Sequence, residues 1–289
     1  MNKLPAILIL ALLATACDWF SLCREPVPIE FHVDLAPEVH VDNPTKAPVT
    51  SLDDMGPIQI CRYDGSVADY SALNQPTLTG SVQPDGRVVP SVTQFYLSDG
   101  TPVHFIAYHP EANSLNSGVA NFRITGQEDI MAGVCWYAGN SESPVTVSFT
   151  FSHLLSQINY QVIAESQASV DAWGTITYIK TVSPTSLDLT LNNQTLTANA
   201  IPLDTALPSS IGDNATQALT TTLTSAGSVM VMPGSRQLIL TVKTSKSDVL
   251  TIPTDLWYMA PGNIHNVTLT FKGNATGIPI TASLTGWPE

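Results

Sequence analysis

The chain has 289 residues, with 11 Lys and Arg against 24 Asp and Glu, a formal net charge of −13. So acidic a surface repels phosphate backbones, and no basic cluster is present to focus one, which argues against nucleic-acid binding. Only 12% of residues are charged, while Ser, Thr, Asn, Val and Pro are abundant. This suits an extracellular β protein better than a charged helical enzyme, and the length suits one large or two modest domains.

In chain order, the first segment carries one cation, Lys3, and an apolar run from Leu4 to Leu13. That run is too short to cross a bilayer and has the form of a signal peptide over residues 1–16. Leu12-Leu13-Ala14-Thr15-Ala16-Cys17 resembles a bacterial lipobox, although Ala14 stands where leucine is commonest. The resemblance makes Cys17 the lipid-bearing (palmitate) first residue of the mature protein; the alternative is an ordinary cut after Ala16. Residues 17–27 then read as a tether. Ile29, Phe31 and Val33 alternate with Glu30, His32 and Asp34, the period-2 pattern of a strand with one buried face.

Prolines 37, 44, 48 and 57 interrupt the next segment and favour loop. Strands are predicted at Ile58–Tyr63, Arg87–Val92, Gln94–Leu97, Pro102–Tyr108 and Ile130–Tyr137, punctuated by the turn pairs Asp64-Gly65, Asp85-Gly86 and Asp99-Gly100. The composition changes at residues 139–144, which sets expected domains at 28–143 and 144–289. Beyond it, Val145 to Phe151 and Ile158 to Val162 each form an apolar face, with an irregular step at Leu154-Leu155. Further strands are expected at Leu187–Leu191, Ser228–Met232, Gln237–Val242 and Val249–Ile252, then a closing hairpin of Val267 to Phe271 and Ile278 to Leu284. The region Asp213–Thr224 comes nearest to a helix. The pattern is all-β and favours β-sandwich domains.

No catalytic constellation emerges, and the chain is expected not to be an enzyme. The six histidines fall in no metal-ligand spacing, and nucleophile elbows, phosphate loops and C-x-x-C pairs are missing. No cofactor or metal is expected. Asp53-Asp54 and Glu128-Asp129 read as solvated turns rather than glycosidase pairs. Trp136-Tyr137 and Trp257-Tyr258 could stack on glycans, but alternation favours one core-facing ring in each pair. With Cys17 lipidated, Cys23, Cys61 and Cys135 remain; a Cys61–Cys135 disulfide and two buried free thiols both stay open. Asp204-Thr205-Ala206 resembles a short O-glycan acceptor pattern, with Thr205 as the acceptor.

Several segments together resemble the fimbrillin-like lipoproteins of Bacteroides-type bacteria, subunits of type V pili. They are Thr45–Thr50 (TKAPVT), Val103–Pro110 (VHFIAYHP), Gln127–Ala132 (QEDIMA), Val147–Val162 (VSFTFSHLLSQINYQV) and the ending Leu284–Trp287. The resemblance implies two tandem transthyretin-like β-sandwich domains on an outer-membrane lipoprotein displayed at the cell surface or in the fimbria. It also implies assembly with other pilus subunits by strand exchange. The first strand (Ile29, Phe31, Val33) fills the subunit's own groove until a surface protease cuts between Lys46 and Ala47, and a neighbour's strand then replaces it. The sequence ends two residues after Trp287, so either the terminal hairpin is the donor or the subunit is a tip or accessory one. Cys23 close to the lipid fits instead an anchor subunit that keeps its lipid. A surface glycan-binding lipoprotein is the alternative from another class, resting on Trp136 and Trp257.

Overall fold

The structure, a computed structural model, describes residues 25–36, 49–135, 137–199, 204–273 and 280–285. The strands of the first half are β1 (Phe31–Leu35), β2 (Ile58–Asp64), β3 (Leu78–Val82), β4 (Arg87–Pro90), β5 (Val103–His109), β6 (Ser114–Asn116), β7 (Val119–Arg123), β8 (Met131–Cys135) and β9 (Val147–His153). Then come β10 (Ser156–Ala164), a helix α1 (Gln167–Trp173), β11 (Thr175–Pro184), β12 (Ser186–Thr190), β13 (Thr195–Ala198), β14 (Asp204–Pro208) and β15 (Gln217–Ala218). The last five are β16 (Thr224–Val231), β17 (Ile239–Thr244), β18 (Leu250–Pro253), β19 (Ile264–Phe271) and β20 (Thr281–Thr285). The all-β class holds, and α1 is the only α-helix among the described residues.

Seven strands close a barrel in the order β1-β4-β3-β2-β5-β8-β9. Two further sheets run β16-β10-β19-β20 and β14-β11-β17-β18, and a small one runs β13-β12-β7-β6. Sheet membership does not divide at residue 143. The strand β9 lies beyond that point yet completes the barrel, while β6 and β7 lie before it and share a sheet with β12 and β13, β7 pairing with β12. A linker-like composition at 139–144 marks only a tight turn, where Gly139 (φ 74) bridges back to Pro144.

The barrel strands β2, β5 and β8 are buried on both faces for most of their length, which explains their nearly continuous apolar runs, whereas β9 alternates buried and exposed residues. In β5, Val103, Phe105 and Ala107 pack in one core with Phe31, Phe149 and Phe151. The intervening Ile106 and Tyr108 join a second core with Tyr160, Leu187, Leu189, Leu240 and Leu269. Side chains alternate across a strand, so one element serves both cores.

The structure differs from the sequence reading in several places. Asp213–Thr224 is no helix; its threonines disfavour one, and it forms turns around β15. The helix falls at Gln167–Trp173, where Ser166 caps by accepting from the Ser169 N–H at 3.2 Å and Gly174 (φ 75) ends the turn. The expected strand Gln94–Leu97 is loop with a single bridge from Phe95 to Pro28. The strand β3 (LTGSV) escapes the pattern because of Gly80, which is required: a Cβ there would meet Val88 Cγ1 at 2.4 Å.

Candidate functional site

The sequence pattern at residues 29–33 places three apolar side chains on one face. Ile29, Phe31 and Val33 are all buried, and Phe31 lies edge-on to Phe105 at 5.1 Å and parallel to Phe149 at 6.3 Å. Each such side chain withdraws enough apolar surface to contribute about 1.5–3 kcal/mol. Val33 sits against the β3–β4 turn. There the Val33 N–H donates to Gly86 O at 2.8 Å, and Gly86 (φ 83) approaches His32 too closely for a Cβ.

The backbone of this segment is held from both sides. On one side it runs parallel to β9 over five residue pairs, with the Val147 N–H donating to Glu30 O and the Ala36 N–H to Phe151 O, both at 2.8 Å. On the other it runs antiparallel to β4, pairing Phe31 with Val88 and His32 with Arg87, and in the loop beyond β4 Gln94 O accepts from the Ile29 N–H at 2.8 Å. The pairing with β9 is the only parallel one in the barrel; every other neighbour is antiparallel. None of β1's sheet neighbours is its neighbour in sequence. If β1 were withdrawn, β4-β3-β2-β5-β8-β9 would remain one continuous antiparallel sheet. Its two open edges would present the unpaired N–H and C=O groups that β1 now satisfies.

Beyond β1 the described chain resumes at Val49, on the far side of residues 37–48. The Val49 N–H donates to Asp129 Oδ2 at 2.9 Å, and the same oxygen is bonded to His153 Nδ1 at 2.8 Å. Both side chains are buried, at 7% and 6% exposure. Asp129 is therefore not the solvated turn residue expected from sequence: it joins the start of this segment to β9. Its neighbour Glu128 accepts from the Thr125 N–H at 2.6 Å and from the Thr125 hydroxyl at 2.7 Å, closing a local turn.

Several site residues named from sequence, Cys17, Cys23, Lys46, Ala47 and Trp136, lie outside the described residues, as does Trp287. The Cys61–Cys135 disulfide is corrected: both are free and buried. Strand β5 runs between β2 and β8, pairing Cys61 with Ile106 and Cys135 with Phe105. Two strand spacings are roughly 10 Å, beyond disulfide reach. The thiols also belong to different cores. Burial pushes the Cys61 thiol up to about 12 and raises Cys135 as well. A second correction concerns Trp257 and Tyr258, which are both exposed, at 60% and 61%. They sit in a loop after β18 rather than in an alternating strand, so neither is forced inward. Thr205 is exposed in β14, opposite Ser183. Among the described residues no group of three or more His, Cys, Asp or Glu could hold a metal ion, and no helix is long and apolar enough to cross a membrane.

No curated protein matches the sequence. Among solved structures, a candidate cell adhesion protein of Bacteroides ovatus is similar at TM-score 0.63 and 17% identity, covering 91% of this chain and 97% of its own. One from Bacteroides uniformis is similar at 0.61 and 15%, covering 91% and 98%. A fimbrial protein of Bacteroides vulgatus is similar at 0.53 and 16%, covering 90% and 99%. At such identities these likenesses establish a shared fold. A model described as fimbrillin-like matches residues 45–287, and on the strength of that match the chain belongs to the fimbrillin-like family.

Proposed function

We propose that this chain is a surface pilus (fimbria) subunit whose β1 is a provisional occupant of its own barrel. In this reading the precursor is exported with lipid on Cys17 to the outer membrane, its barrel completed by β1. A surface protease cuts after Lys46, and β1 departs with the tether and lipid. A strand from another subunit then enters between β4 and β9. The barrel and the paired sheets of the second half stand for the two transthyretin-like units. The observation that carries the reading is topological: β1 and β9 form the barrel's one parallel pair, and of the two it is β1 that lies ahead of all the other barrel strands in the chain, so its removal leaves the other six as one antiparallel sheet. The family match supports it, because it begins at residue 45, after β1 and just before Lys46. The buried Asp129–Val49 bond would keep the new chain start attached to the barrel end.

The slot's three apolar pockets and two backbone edges define what can replace β1: an extended segment with alternate apolar residues. The subunit's place, in the stalk or at the tip as an accessory, follows from whether it also donates. An anchor subunit would keep Cys17 and its lipid, and Cys23 favours that second reading. A non-lipidated form starting at residue 18 tests the strand exchange. Treated with a trypsin-like protease, it should be cut after Lys46 and form SDS-resistant ladders; Lys46→Ala should block both. If cleaved protein that has lost β1 stays monomeric, alone and with co-expressed subunits, the reading is wrong. Subunits recovered from cells with an acylated Cys17 as first residue would assign the anchor role.

A further inference from the structure

We propose that the outer face of the small sheet β6-β7-β12-β13 is a carbohydrate-binding cleft. The inward residues of its two central strands, Ala120, Phe122, Leu187 and Leu189, are core. Their outward neighbours line an open cleft of about 450 Å³, within the size range of ligand sites. Its lining residues carry polar side chains with one exception: Ser114, Asn116, Asn121, Arg123, Ser186, Asp188 and Asn199 form it, with Val119 its one apolar side chain.

Register makes the lining a row. Ser114 pairs with Asn121, Asn121 with Asp188, and Asp188 with Thr197. At one strand spacing each, these groups repeat over roughly 14 Å. The β6–β7 turn is fixed by Ser117 (φ 48) and Gly118 (φ 71), the left-handed pair that a two-residue hairpin needs. The row is also pre-set. Asn121 Nδ2 donates to Asp188 Oδ1 at 2.7 Å and lies 3.4 Å from Ser186 Oγ and Leu187 O, and Asn199 Nδ2 donates to the same Asp188 oxygen at 3.4 Å.

What remains is hydrogen-bonding capacity aimed outward. An ionised carboxylate accepts about four hydrogen bonds, and with the described residues Asp188 uses two, both on Oδ1. Arg123 is exposed and makes no ion pair with the described residues, in a protein with more than twice as many acids as bases. A guanidinium beside a carboxylate and amides offers donors and acceptors side by side, which vicinal hydroxyls use in both senses. Other ligand classes fit less well. One arginine cannot draw a polyphosphate to so acidic a protein. A protein partner would lack the aromatic or aliphatic anchor that interface centres need. The ligand class that matches is a hydroxyl-rich, uncharged glycan.

The test is titration calorimetry of the soluble protein with hexasaccharides of glucose, mannose, xylose and galactose. Binding of at least one at roughly millimolar affinity or better is expected, weakened about tenfold or more by Arg123→Gln and by Asp188→Asn. Both side chains are outward, so an unchanged melting temperature separates lost binding from lost fold. Trp257→Ala should leave binding intact. Absence of binding across the panel, or binding that survives both cleft substitutions, overturns the proposal; so does binding abolished by Trp257→Ala alone.

Discussion

Phe31 carries more of the β1 slot than any neighbouring side chain, because its ring touches both Phe105 and Phe149. Truncation to alanine leaves a cavity that β-barrel walls cannot close, at a cost of about 3–5 kcal/mol. Phe31→Ala in the uncut protein should lower the denaturation midpoint accordingly, while Phe95→Ala, at an exposed ring, should change it little. The cysteines give a sharper reading of burial. Desolvation holds both thiols in the neutral form, which is neither nucleophilic nor oxidised readily. Native protein should therefore leave Cys61 and Cys135 unmodified by a thiol reagent at pH 8, and both should react once denaturant is added. Identical mobility of a Cys17- and Cys23-free form with and without reductant would confirm that no bridge exists.

At the scale of the element, β1 differs from most barrel strands in how it is tied. The strands β2-β3-β4 and β8-β9 are joined by short or moderate connections to partners they also pair with. By contrast β1 pairs with β9, more than a hundred residues away, and with β4. Its stability in the slot thus comes from backbone bonds and three buried side chains, and any strand offering the same groups competes on equal terms. A synthetic peptide of residues 28–36 added to cleaved protein should occupy the slot and suppress ladder formation. A peptide with Phe31→Asp and Val33→Asp should not. Persistence of ladders at saturating native peptide would place the association somewhere other than this slot.

For the whole molecule, the two cores meet through shared strands, so protonation in one region reports on global stability. Burial pushes the imidazoles of His109 and His265 below the usual histidine range; a hydrogen bond to Pro57 O and the nearby Asp129 oppose this only in part at His109. The unfolded chain binds these protons more readily than the folded one. Stability is therefore complete above about pH 6.5, the unfolded value, and falls as pH drops through the lower folded values. The melting temperature should decline between pH 7 and pH 5, and His265→Gln should remove part of that decline. An equal decline in the His265→Gln variant would mean that other groups carry it.

The sequence alone determined the all-β class, most barrel strands and the inward face of residues 29–33, because alternation is a local property that burial on one side imposes. Strands β7, β11 and β14 are not legible locally: Thr, Ser and Asn dilute their alternation, and β7 and β11 each take one partner far along the chain, β12 and β17. The exposure of Trp257 and Tyr258 and the separation of the two cysteines were likewise set by which strands became neighbours. Only the tertiary structure decided that β9 closes the first barrel and that Asp129 reaches Val49. It also decided that a row of unremarkable polar residues forms a cleft. Those features depend on register between segments far apart in the chain, which no local pattern encodes.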